Sequence, residues 1–177
     1  MKAVTTLLSV FLTMAMGAMA ATIAKLITDD FSFNNWAFVV FFISLRIKIY
    51  LNDLSLCYEA DRTSFEFKRD FLVGMVVWFM WIVSAIVLSN SFFVACLLLA
   101  IAIFIATVLL QISKTANTEK KFWIKINIAY IILIILSGSL SWVNEYVSIL
   151  SMLIAIALVM YDYWYQTPFK VFEEQDC

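Results

Sequence analysis

The sequence predicts an all-α membrane protein of six transmembrane helices in three antiparallel hairpins, with the N- and C-termini cytoplasmic. Three observations predict it. The first is composition: 64% of the 177 residues are hydrophobic and only 14% are charged, with a mean hydropathy of +0.96. Soluble domains hold about 45–50% apolar and about 25% charged residues, and a body this small could not cover such an excess with polar side chains. The second is that the apolar residues fall into six stretches near the ~20 residues a spanning helix needs. The third is the placement of lysine and arginine, which sorts cleanly between the two faces those stretches define.

The first expected span is 4–28. Lys2, an apolar run and Ala18-Met19-Ala20 resemble a secretory signal with a cleavage site, but apolar residues continue through Ile23 to Ile27, which favours a membrane helix. The second, 31–51, is the weakest, because Arg46 and Lys48 interrupt its end. Both cations, and Lys125 further along the chain, are expected to snorkel into the inner headgroups while their stems stay apolar. Spans 71–88 and 92–112 are free of charge. Span 122–140 carries Lys125 near its start, and span 146–165 is interrupted late by Asp162. Residues 166–177 form a short cytoplasmic tail, in which Pro168 stops the helix and Glu173, Glu174 and Asp176 make an acidic tip.

Connections test this count. With the N-terminus inside, eleven of the twelve lysines and arginines lie on the cytoplasmic side and Lys25 alone lies outside, as the positive-inside rule requires. Removing span 31–51 would put the two basic loops, 52–70 and 113–121, on opposite faces. Trp36, Trp142 and Tyr146 fall near outer ends, and Tyr50, Trp123, Tyr161, Tyr163, Trp164 and Tyr165 near inner ends, where amphipathic rings are favoured. The expected location is the inner cell membrane. Arg62, Lys68, Arg69, Lys120 and Lys121 are the candidate contacts to an anionic inner leaflet or to a protein partner at loop 52–70.

Several function classes are excluded or disfavoured. A formal charge of -1 argues against nucleic acid as a partner. The absence of histidine removes the commonest general base and metal ligand. Cys57, Cys96 and Cys177 are scattered, so neither a disulfide framework nor a zinc site is indicated; Cys57 is a candidate acylation site, and the terminal Cys177 makes no CaaX box. No nucleophile elbow, Walker loop, dinucleotide fingerprint or zinc-protease helix occurs, so no enzyme activity and no cofactor are expected. No ionisable residue sits at the middle of any expected span, which disfavours an ion-coupled carrier.

Three features are candidates for function. Asn127, Ser137, Ser148 and Ser151 lie at membrane depth, as pathway-lining groups or interhelical bonds. Gly17 with Ala21, Ala20 with Ala24, and Ala102 with Ala106 are small pairs four residues apart, which let backbones approach closely. Loop 52–70 carries Asp53, Glu59, Asp61 and Asp70, a solvated linker first and a catalytic or metal-holding cluster last. The favoured expectation is a homo-oligomeric channel or membrane-permeabilising protein without ion coupling. The alternative is a non-transporting membrane partner, such as an assembly subunit, regulator or immunity-type protein, acting through its cytoplasmic loop.

Overall fold

Phe38, Phe41 and Phe42 are wholly buried, and the arrangement of the chain is organised around them. The computed structural model describes residues 2–29, 32–59, 65–112 and 118–165. Among these there are six helices and no strand: α1 (Lys2–Asp29), α2 (Phe33–Glu59), α3 (Phe65–Val87), α4 (Phe92–Ile112), α5 (Thr118–Leu140) and α6 (Glu145–Tyr165). Four are long and apolar enough to cross a membrane: α1 over Ser9–Thr28, α4 over Phe92–Ile112, α5 over Lys121–Leu140 and α6 over Glu145–Trp164. The apolar stretch of α3, Phe71–Val87, is shorter, and α2 does not meet the same measure. This is a membrane protein by the length and apolar character of those four helices.

The helices touch in the cyclic order α1, α2, α6, α5, α4, α3 and back to α1. A six-membered ring leaves room at its centre, and the aromatic face of α2 fills it. Phe42 packs on Trp81 of α3 at 4.9 Å, Phe38 on Phe92 at the start of α4 at 6.1 Å, and Phe41 edge-on to Tyr130 of α5 at 5.7 Å. Aromatic pairs of this kind add about 0.5–1.5 kcal/mol each beyond area burial. At about 100° per residue, the buried residues Phe38, Val39, Phe41, Phe42, Leu45, Arg46 and Lys48 occupy roughly half the circumference of α2. Its outward stripe, Phe33, Val40 and Ile47, recurs every seventh residue and is apolar and exposed.

Short polar segments end the helices. The hydroxyl of Ser91 accepts from the backbone N–H of Val94, and Asn144 Oδ1 accepts from the N–H of Val147, so α4 and α6 both begin with a side-chain cap. Between α3 and α4, the N–H of Asn90 donates to the carbonyl of Val87 at 2.8 Å. Interhelical hydroxyl bonds tie neighbours: Thr22 of α1 to the carbonyl of Ala85 in α3, and Ser84 of α3 to the carbonyl of Ala95 in α4. The α4–α5 contact is closest at Gly138, where a Cβ would come within 2.9 Å of the Cys96 Cβ. Outside, large apolar side chains such as Leu72, Phe79, Phe104 and Leu150 stand exposed around the bundle, a surface suited to lipid rather than water.

Candidate functional site

Two polar nodes join the same three helices, α2, α5 and α6. Both are built from residues that the apolar background makes conspicuous, because a buried polar group in such a bundle requires a partner.

The node at the C-terminal ends of α2 and α6 is ionic. Lys48 of α2 forms a salt bridge with Asp162 of α6, and both side chains are buried. Asp162 Oδ2 also accepts from the Tyr130 hydroxyl of α5 at 3.4 Å. The Lys48 ammonium sits 4.0 Å from the centre of the Trp123 ring, also on α5. The salt bridge and the indole face stabilise a cation that the interior would otherwise exclude, and the phenol donates to its counter-ion. One residue beyond Asp162, the Tyr163 hydroxyl donates to the Ser44 carbonyl, a second tie between α6 and α2.

Arg46 lies on the opposite flank of the buried arc of α2, because two residues along a helix turn the side chain by about 200°. Its guanidinium rests 4.0 Å over Trp78 and 5.8 Å from Trp81, both on α3. The two cations therefore do not snorkel outward, as the sequence suggested; they are 1% and 3% exposed and face the interior. Geometry gives the reason. Helical side chains lean toward the N-terminus of their helix, and on α2 that direction leads back from its C-terminal end into the bundle. The indole faces of Trp78 and Trp123 then supply what the headgroups would have supplied.

At the other end the node is neutral. Ser148 of α6 and Ser137 of α5 exchange bonds: Ser137 Oγ donates to the Ser148 carbonyl at 3.0 Å, and Ser148 Oγ lies 2.8 Å from the Ser137 carbonyl. Ser148 Oγ also lies 2.9 Å from Asn34 Oδ1 on α2. Its single hydrogen serves one of these two acceptors at a time. All three residues are buried. Between the nodes lies a dry layer of Phe38, Phe41, Tyr130 and Ile134, each 0% exposed.

The expected site residues distribute as follows. Ser137 and Ser148 meet in the neutral node, whereas Ser151 bonds back to the Val147 carbonyl of its own helix. Asn127 is half-buried on α5 and is not in either node. Ala102 is buried and Ala106 packs against the core, so this pair is internal to the chain. Gly17, Ala20, Ala21 and Ala24 are all exposed on the outer face of α1. Lys121 is exposed. Arg62 and Asp61 lie outside the described residues, as do the side chains of Asp53, Cys57, Glu59, Lys68, Arg69, Asp70 and Lys120. The tail 166–177 also lies outside them. No group of three or more metal-ligating residues occurs among the described residues.

Comparison with protein-family models, curated proteins and solved structures finds no match for this chain.

Lys48, Asp162 and Asn34 were not among the expected site residues, yet each carried a signal. Lys48 lies roughly 22 Å along α2 and Asp162 roughly 25 Å along α6 at 1.5 Å rise per residue. Two helices running in the same direction from one end of the bundle thus bring opposite charges to the same depth. The serine pair follows similar logic: positions 137 and 148 are mirror images across the turn that joins α5 to α6.

Proposed function

We propose that this chain is a six-span protein of the inner cell membrane, with its helices paired as three hairpins and both ends cytoplasmic, that acts as a closed, non-conducting bundle engaging another membrane component through its surface. The observation that carries this reading is the filled interior. Phe38, Phe41, Phe42, Trp81 and Tyr130 occupy the centre of the ring and are at most 1% exposed. The hydroxyls of Ser137, Ser148 and Ser151 are bonded within the chain. A single copy then offers no wet path, and its activity must lie on its outside.

Support for α2 and α3 as spans comes from what faces outward. Lipid meets only the exposed stripe, and on α2 that stripe is Phe33, Val40 and Ile47, while both cations are turned inward. On α3 it is Leu72, Val76, Phe79 and Ile86. A helix of this kind is tolerated in the bilayer because Lys48 is paired with Asp162 and the Arg46 guanidinium is covered by the indole of Trp78. The contact surface of this reading includes the 52–70 segment and its basic residues Arg62, Lys68 and Arg69, with anionic lipid at Lys120 and Lys121.

The test is reconstitution. Purified full-length protein in liposomes should pass no ions or small dyes, and crosslinking from position 62 in native membranes should capture a second protein. Flux from pure protein at single-copy density would overturn this reading.

A homo-oligomeric channel is the second reading, and one observation favours it. The small residues Gly17, Ala20, Ala21 and Ala24 present an exposed face of α1 to which a second copy could pack closely. Here the native mass in mild detergent should be a multiple of the chain, and Ala21→Leu should return it to a monomer while abolishing flux. A monomer of unmodified protein would remove this alternative.

A further inference from the structure

A groove of about 360 Å³ lies on the outside of the bundle between α1 and α3. Its walls are Ala18, Ala21, Thr22 and Lys25 of α1, with Ile86 of α3 and Ser89 of the α3–α4 turn. The spacing 18, 21, 22, 25 keeps to one face of α1 for about 10 Å of its length. The alanines stop at Cβ, which opens the groove. Its floor has no polar group to offer, because Thr22 is buried and its hydroxyl donates to the Ala85 carbonyl at 2.7 Å. A floor of this kind takes hydrocarbon.

Lys25 closes one end. It lies in the last turn of the apolar stretch Ser9–Thr28, at the depth where hydrocarbon gives way to headgroups. Its ammonium donates to Ser89 Oγ at 3.4 Å and to Asn90 Oδ1 at 3.2 Å. Both partners are neutral, and Lys25 makes no ion pair among the described residues. An ammonium carries three hydrogens and no lone pair, so one hydrogen is left over and the charge is not cancelled. The same chemistry fixes the Asn90 amide. Its oxygen must face Lys25, and its Nδ2 is left with no acceptor among the described residues.

Ser89 lines both this groove and an open recess of about 510 Å³ at the same end of the bundle. The recess wall includes Asn90, Ser91 and the first turn of α4, whose opening N–H groups carry partial positive charge. Glu145 is the one carboxylate on that wall, and it is not paired with Lys25. A cation, an amide donor and a helix start therefore gather where an apolar groove meets a polar recess. We propose that this junction binds an anionic phospholipid. One acyl chain lies along Ala18, Ala21 and Ile86, the phosphate accepts from Lys25 Nζ and Asn90 Nδ2, and the headgroup turns into the recess. A zwitterionic lipid would bring its own cation beside Lys25. A second copy packed α1 to α1 in the same orientation would bring another Lys25 to the same depth. The site is separate from Lys120 and Lys121 at the other end of α5, and it does not depend on whether the bundle conducts.

The test uses full-length protein in phosphatidylcholine nanodiscs that contain a trace of phosphatidylglycerol with a diazirine midway along one acyl chain. Phosphatidylcholine with the same diazirine is the comparison, and labelled residues are mapped by mass spectrometry. Label at Ala18, Ala21 and Ile86 should favour the anionic probe by about fivefold, the contribution of one lysine beside anionic lipid. Lys25→Gln should bring the two probes level there, and Lys25→Arg should keep the preference. Lys25 is exposed, so neither change disturbs the core. Lys120→Gln with Lys121→Gln should leave the preference unchanged, and Ala21→Leu, which fills the groove, should reduce label from both probes. Equal labelling of the unmodified protein by the two probes would overturn the proposal. So would a preference that survives Lys25→Gln, or a disulfide between copies at Ala21→Cys in place of lipid label.

Discussion

The two polar nodes tie the same three helices together, but with different chemistry. At one end Asn34, Ser137 and Ser148 share neutral bonds beside an open recess. At the other, Lys48 and Asp162 hold opposite charges in a dry interior backed by Trp123 and Tyr130. A neutral hydroxyl bond between membrane helices contributes on average ~0.6 kcal/mol and at most ~1.7. A buried ion pair contributes little beyond an apolar isostere, yet losing one partner costs about 3–5 kcal/mol because the other charge is stranded. The difference shows that similar geometry carries unequal consequences. The neutral node can be altered and remain soluble in its surroundings, whereas the ionic node commits α2 and α6 to one another.

Changes that strand a charge should have the largest effect. Asp162→Leu leaves the Lys48 ammonium without its counter-ion and should lower stability by about 3–5 kcal/mol, read as a loss of folded fraction in an SDS or thermal titration of the purified protein. If the loss were under ~1 kcal/mol, the ionic node would be no stronger than the neutral one.

An intermediate effect is expected away from both nodes, where backbones meet. Gly138→Ala places a Cβ within 2.9 Å of the Cys96 Cβ, and overpacking of this kind costs roughly 1–3 kcal/mol. Gly17→Ala meets nothing within 4 Å and should instead gain up to about 1 kcal/mol from helix propensity. Opposite signs for the same substitution, measured in the same titration, would locate the α4–α5 contact against the open face of α1.

The smallest effect belongs to the neutral node. Ser148→Ala removes the hydroxyl that faces Asn34 and the Ser137 carbonyl, and should cost about 0.6–1.7 kcal/mol. A cost as large as that of Asp162→Leu would erase the distinction between the ends.

Much of this architecture was legible in the sequence. The boundaries of α4, α5 and α6 fall close to the expected spans 92–112, 122–140 and 146–165, because polar residues such as Ser91, Ser113, Lys121, Ser141, Asn144 and Gln166 bound the apolar runs. α2 was harder to read, and the reason is physical. Hydropathy averages around the whole circumference of a helix, whereas lipid meets only one stripe. Arg46 and Lys48 lower the average of α2 although neither is exposed, since Trp78 and Trp123 cover them. The expected snorkelling failed on the same point: a cation near a span end goes to the headgroups only if the interior offers it nothing better. At the neutral node, the mirror spacing of Ser137 and Ser148 was available from sequence, but the arrival of Asn34 from a helix more than a hundred residues earlier was not. Ring order decides that contact, and α2 meets α6 only once the ring has closed.

The central claim is that α2 crosses the bundle with Lys48 joined to Asp162 inside it. A double-mutant cycle tests it most directly, using Lys48→Met, Asp162→Leu and their combination, each in the same lipid nanodisc and unfolded by the same titration. The two sites should couple by more than ~2 kcal/mol, at the upper end of the range for residues in contact, with the double variant recovering most of the stability that Asp162→Leu loses. Additivity within about 0.5 kcal/mol, as for independent sites, would contradict the claim.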